Sequence, residues 1–186
     1  MSDESPRRGR LFLVTAPSED GAAAVALGLG RLLPRAFVIA GSQVESMVVS
    51  GGAPDQGAGL EAVRQRLLRW SACLAAAETY QLEGFDAVVH DVVVGEHLED
   101  FLDLAAPETV HLVVLDEPQG SPTPRWGLWL EPGSAPDHQL AQAALERLDE
   151  AAVLTAEPAE PAEPAGPAEP AEPAGPAEPA EGSHSG

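Results

Sequence analysis

Short runs of apolar residues recur along the chain, separated by polar stretches in which apolar positions return every three or four residues. Leu11-Phe12-Leu13-Val14-Thr15 is continuous, the pattern of a strand covered on both faces, as in a parallel sheet. After the loop 16–21, Val25, Leu29 and Leu32 recur at helical spacing until Pro34 ends the run. Ala36-Phe37-Val38-Ile39-Ala40 predicts a second strand, followed by a Gly- and Pro-rich loop through Gly59. Leu60, Val63, Leu67, Trp70, Leu74 and Ala77 then predict the apolar stripe of a long helix, with Arg64, Arg66 and Arg69 largely off it and Gly84 as its stop.

A third strand is expected within 85–94, a short helix over 96–105, a fourth strand over 110–115 and a fifth over 127–130. Pro136-Asp137 opens a last helix with Ala141, Ala144, Leu145 and Leu148 on its apolar face and Asp137 placed to cap it. Strands alternating with helices imply βαβ units. The expected fold is α/β, three-layered, with a mainly parallel five-stranded sheet over 11–155, behind a flexible leader, 1–10.

From Glu157 onward the sequence changes character. It consists of Glu-Pro-Ala and Gly-Pro-Ala triplets, with residues 160–168 repeated as 169–177. Proline at every third position forbids helix and sheet, and there is almost nothing to bury. Residues 156–186 therefore read as a disordered, polyproline-like tail, serving as a spacer or as a docking arm without a specific motif.

The full chain has 186 residues and a net charge of −20, and all ten basic residues are arginine. Residues 1–156 keep 23 acids against those ten arginines, a net of −13, so the acidity belongs to the domain as well as the tail. Such a charge argues against nucleic acid or an anionic membrane as partner. A single Cys73 excludes an intramolecular disulfide, and no apolar run is long enough to cross a bilayer. A soluble cytoplasmic protein is expected.

Strand, loop and helix at the start of the domain is where P-loop enzymes hold phosphate, with the pattern G-x-x-x-x-G-K-[ST]. Here the loop reads Ala16-Pro17-Ser18-Glu19-Asp20-Gly21-Ala22-Ala23. Over residues 11–151 the chain resembles the P-loop small-molecule kinases similar to chloramphenicol phosphotransferase. Members read like G-P-S-G-x-G-K-S-T after the first strand; Pro17, Ser18 and Gly21 match, whereas Ala16, Glu19, Ala22, Ala23 and Ala24 depart. The resemblance puts the lysine position at Ala22 and makes Ser18, Gly21, Ala22 and Ala23 a degenerate phosphate-binding loop. A family stretch like E-G-D-D-F-R-R-M-I is replaced by Ala40-Gly41-Ser42-Gln43-Val44-Glu45-Ser46-Met47-Val48, and V-V-D-D-V-V-V-G by Val88-Val89-His90-Asp91-Val92-Val93-Val94-Gly95. In the region of the arginine-bearing lid, only Arg125 is basic.

These departures fall on chemistry and spare the scaffold. Phosphoryl transfer needs positive charge at its transition state, and one lost donor commonly costs about 3 kcal/mol. Glu19 and Asp20 place carboxylates where phosphates would lie. The expectation is a pseudoenzyme without cofactor, binding an unknown protein or small molecule. The alternative is an active phosphotransferase acting on a small-molecule hydroxyl, or a nucleotide-binding protein, using ATP and magnesium, with Arg125, Arg31 or a partner's arginine replacing the lysine.

Asp91 is the one remaining catalytic candidate, as base or magnesium ligand, against a structural role at a strand end. His90, Asp91, Glu96, His97 and Asp100 could meet as a metal site, but their mixed spacing favours ordinary solvated residues, and no metal is expected. Cys73 reads as a small buried thiol. Trp126 and Trp129 read as packing residues or an interaction patch, and Arg64, Arg66 and Arg69 as a solvated face where an acidic partner or anion would land first.

Overall fold

The computed structural model describes residues 7–52, 59–117 and 119–155. The expected tail, 156–186, and residues 1–6 of the expected leader lie outside the described residues. Five parallel strands, β1 (Leu11–Thr15), β2 (Ala36–Ala40), β3 (Asp86–Asp91), β4 (Thr109–Leu115) and β5 (Leu128–Leu130), lie in the order β2-β3-β1-β4-β5. A sixth strand, β6 (Ala152–Leu154), pairs antiparallel with the beginning of β4, beside the stretch that β5 covers at its end.

Alternation along the strands sorts the core into two layers. Phe12, Val14, Val88 and Val113 face α1 (Glu19–Leu32) and α5 (Asp137–Glu146), through Val25, Leu29, Leu140 and Ala141. Leu11, Leu13, Val89 and Leu112 face α3 (Leu60–Leu82) and α4 (His97–Ala105), through Trp70, Cys73, Leu98 and Phe101. Two short helices complete the domain, α2 (Gly41–Ser46) directly after β2 and α6 (Leu148–Ala151) before β6. The three-layer α/β architecture is the one the sequence implies.

Several local expectations change. The buried stripe of α3 is Ala62, Arg69, Trp70, Cys73, Ala77 and Gln81, while Leu60 is 91 % exposed. The stripe is rotated because one face of α3 must reach the polar groups at the end of β3 as well as the apolar core. Arg69, expected on the solvated face, is thus buried. Leu32 of α1 is exposed. Pro136, not Asp137, is the N-cap of α5, and Asp137 makes no capping hydrogen bond. Gly9 and Arg10, expected in a flexible leader, are tied down: Gly9 N–H donates to Gln81 O at 2.9 Å, and Arg10 binds Asp86 through its backbone N–H at 2.8 Å and its guanidinium at 2.7 and 3.1 Å.

Candidate functional site

In an open parallel sheet, loops leaving the carboxyl ends of strands that diverge to opposite sides form a crevice. Here that switch lies between β1 and β4, and a cleft of about 590 Å³ opens there. One wall is Ala16, Pro17, Ser18 and Gly21 after β1; the other combines Leu115 to Glu117 and Gln119 to Pro122 after β4 with Pro132, Gly133, Asp137 and Leu140 around the start of α5. Among the described residues its charged lining consists of Asp116, Glu117 and Asp137, with no arginine. None of these three acids stands out as a site residue in the sequence, because each reads there as a loop or capping residue.

The first wall is shorter than a phosphate-cradling loop. Only Ala16, Pro17 and Ser18 separate β1 from α1, and α1 begins at Glu19. Ser18 is its N-cap with an extended backbone and no side-chain cap, and Glu19 and Asp20 occupy the first turn. No residue from Ala16 to Gly21 has a positive φ, so the backbone amides do not curl into the concave nest that binds anions. Gly21 is an ordinary helical residue. Ala22 is completely buried in the apolar core, and Ala23 is half-buried. Glu19 accepts a hydrogen bond from the Ser42 hydroxyl, which ties α1 to α2.

Asp91 does not line this cleft. It ends β3 on the α3 side, 5 % exposed, with both oxygens engaged. Oδ1 accepts from its neighbour's Val92 N–H at 2.8 Å, and Oδ2 accepts from the Trp70 indole N–H at 2.9 Å. Nε of Arg69 lies 3.0 Å from Oδ2, an ion-pair distance although outside hydrogen-bond alignment. Arg69 also donates to Glu45 at 2.8 Å, so a chain of charges joins β3, α3 and α2. The carboxylate packs against Gly41: a Cβ there would lie 2.0 Å from Oδ2. Neither Arg69 nor Glu45 was indicated by sequence spacing, since they lie 22 and 46 positions from Asp91 and meet it only through the fold.

The other candidate residues fall on different sides of the sheet. His90 is 6 % exposed, and its Nδ1 has no hydrogen-bond partner among the described residues. Burial lowers its pKa, opposed by the charges of Glu19 and Asp91. His97 instead approaches Arg66 at 2.7 Å and Asp100 at 3.6 Å at the start of α4. Among the described residues no three His, Cys, Asp or Glu side chains gather where they could hold a metal. Cys73 is fully buried, and desolvation, helped by the charge of Asp91, pushes its thiol up to about 11. The Arg125 guanidinium lies over the Trp129 ring at 5.2 Å, and Trp126 remains 40 % exposed. Arg31 is in the last turn of α1, roughly 18 Å along the axis from Glu19 at about 1.5 Å per residue.

No family model matches the chain, and no curated protein matches it in sequence. Solved structures do. The APS kinase CysC of Mycobacterium tuberculosis, in complex with AMPPNP and APS, superposes with a TM-score of 0.60 at 19 % identity, over 77 % of this chain and 99 % of that one. A sugar kinase from Janibacter sp. HTCC2649 gives 0.54 at 16 % identity, covering 77 % and 96 %. The tunicamycin resistance protein of Deinococcus radiodurans gives 0.53 at 13 % identity, covering 78 % and 98 %. Among the described residues no helix is long and apolar enough to cross a membrane. The chain is an α/β domain with the fold of the small-molecule kinases.

Proposed function

We propose that this domain is a degenerate relative of the chloramphenicol phosphotransferase-like kinases, retaining their fold and acting by binding rather than by phosphoryl transfer. The observation that carries this reading is the start of α1. An uncapped helix N-terminus carries partial positive charge that favours an anion. Here Glu19 and Asp20 in the first turn supply that negative charge themselves. A triphosphate would have to displace or neutralise them.

The residues present do not fit magnesium ATP. The lysine position, Ala22, is packed in the core, and the cleft beside it holds Asp116, Glu117 and Asp137 with no arginine among the described residues. Arg31, one proposed substitute for the lysine, is a helix length away. Asp91 acts in this reading as a structural anchor, because Arg69, Trp70 and Val92 already occupy its oxygens. The cleft's charge favours a neutral or cationic small molecule over a phosphorylated one.

The test is the melting temperature of the full chain titrated with magnesium ATP to millimolar concentration, beside adenosine as an uncharged control. No shift with ATP is expected. A ligand at about 100 times its Kd stabilises a protein by roughly 2.7 kcal/mol, so a rise of several degrees with ATP and none with adenosine would overturn this reading in favour of the alternative, a nucleotide binder or working phosphotransferase.

A further inference from the structure

A groove of about 380 Å³ lies where α4 meets β6 and the turn before β5. It shares no lining residue with the cleft and sits toward the other end of the sheet, because β6 pairs with the beginning of β4. Its apolar lining is Leu102, Trp126, Val153 and Leu154. Leu102 is buried and Val153 packs against the core layer of α3 and α4, so these two form the floor, while Leu154 is 84 % exposed.

Trp126 is held by its backbone, which leaves its ring at the surface. Its N–H donates to the Pro124 carbonyl at 2.8 Å, and its carbonyl accepts from the Trp129 indole at 3.1 Å. Gly127 beside it takes a positive φ of 66° against the Leu112 carbonyl, where a Cβ would lie 2.6 Å away. The Trp126 indole N–H has no hydrogen-bond partner among the described residues. A large aromatic is thus presented with little freedom to lose on binding. Glu99 and Asp103 rim the groove, four residues apart on α4 and so on one helix face, about 6 Å from each other. Neither carboxylate makes an ion pair or a hydrogen bond among the described residues, and no arginine of those residues lines the groove. The Arg125 guanidinium lies over Trp129 instead.

We propose that this groove docks an arginine-bearing basic segment of a partner protein, seated on Trp126 between Glu99 and Asp103. The parts of an arginine side chain find their counterparts here: the planar guanidinium stacks on the indole, the methylene stem covers Leu102 and Val153, and the fork donates to the carboxylates. The cation comes from another protein. A second copy would bring a net charge of −20 to an acidic rim, and the chain beyond Thr155 holds neither arginine nor lysine. The same net charge draws a basic partner in at long range.

Fluorescence anisotropy with the full chain tests this, using a fluorescein-labelled peptide Gly-Leu-Arg-Arg-Leu-Gly and its Lys-Lys counterpart at about 0.1 M salt. The arginine peptide is expected to bind saturably and several-fold more tightly than the lysine peptide of equal charge. Trp126→Ala should weaken it about tenfold, the scale of one desolvated cation–ring contact, and Trp126→Phe should weaken it less. Glu99→Gln with Asp103→Asn should also weaken it about tenfold, whereas Glu83→Gln with Glu146→Gln, an equal loss of charge elsewhere on the surface, should change it less than about twofold. All five positions are exposed, so the variants are expected to keep the melting temperature. No saturable binding of the arginine peptide would overturn the proposal. So would equal affinity for the lysine peptide, undiminished binding by Trp126→Ala, or an equal loss in the Glu83 and Glu146 control.

Discussion

At the scale of single residues, Asp91 shows how a buried charge is retained. Its oxygens are taken by the Trp70 indole, the Val92 amide and the Arg69 guanidinium, which removes most of the penalty of leaving water. Removing the carboxylate would strand the buried Trp70 indole N–H without its partner, at a cost of about 1–3 kcal/mol, while Arg69 keeps Glu45. Asp91→Ala should therefore lower unfolding stability in urea by that order. A loss under about 1 kcal/mol would contradict the anchoring role. His90 gives a pH signature. Its folded pKa is lowered by burial, while the unfolded chain titrates near 6.5. As pH falls below that value the unfolded state takes up the proton first, so stability declines. His90→Leu should flatten the decline between about pH 6.5 and 5, without abolishing it, because His111 is shifted the same way by burial. Cys73 should resist thiol reagents in the native chain and react once unfolded, since only the thiolate attacks.

At the scale of elements, α1 decides the chemistry of the cleft. Gly21 has ordinary helical φ, and a Cβ there would meet only the Ser18 hydroxyl at 3.4 Å and Ala16 at 3.7 Å. Gly21→Ala should thus raise stability by about 0.5–1 kcal/mol, as at an exposed helical site. Destabilisation on thermal melting would mean that this glycine serves a curled loop after all. Gly41→Ala should do the reverse, because its Cβ would strike the Asp91 carboxylate where β2 turns into α2. Much of this element structure is legible in the sequence: continuous apolar runs mark the four longer strands, and the helical stripe of α1 is correct at Val25 and Leu29. The rotation of α3 is not legible. Leu60 and Val63 carry the apolar signal, while Arg69 is drawn inward by Glu45 and Asp91, partners distant in sequence. The strand β6 is three residues long and borders the tail, too short for its alternation to register.

At the scale of the whole molecule, the sequence identifies the β1–α1 turn as the place to look, and that turn forms one wall of the cleft of about 590 Å³. The opposite wall, with Asp116, Glu117 and Asp137, is not legible, because it comes together only when β4 and β5 lie side by side. The acids at the cleft, Asp116, Glu117 and Asp137, run against phosphate binding there. Isothermal titration calorimetry of the full chain with magnesium ATP measures this most directly. No saturable heat is predicted at ligand concentrations up to about 1 mM, where binding would be worth about 4 kcal/mol; a saturable isotherm with a Kd of micromolar order would contradict it.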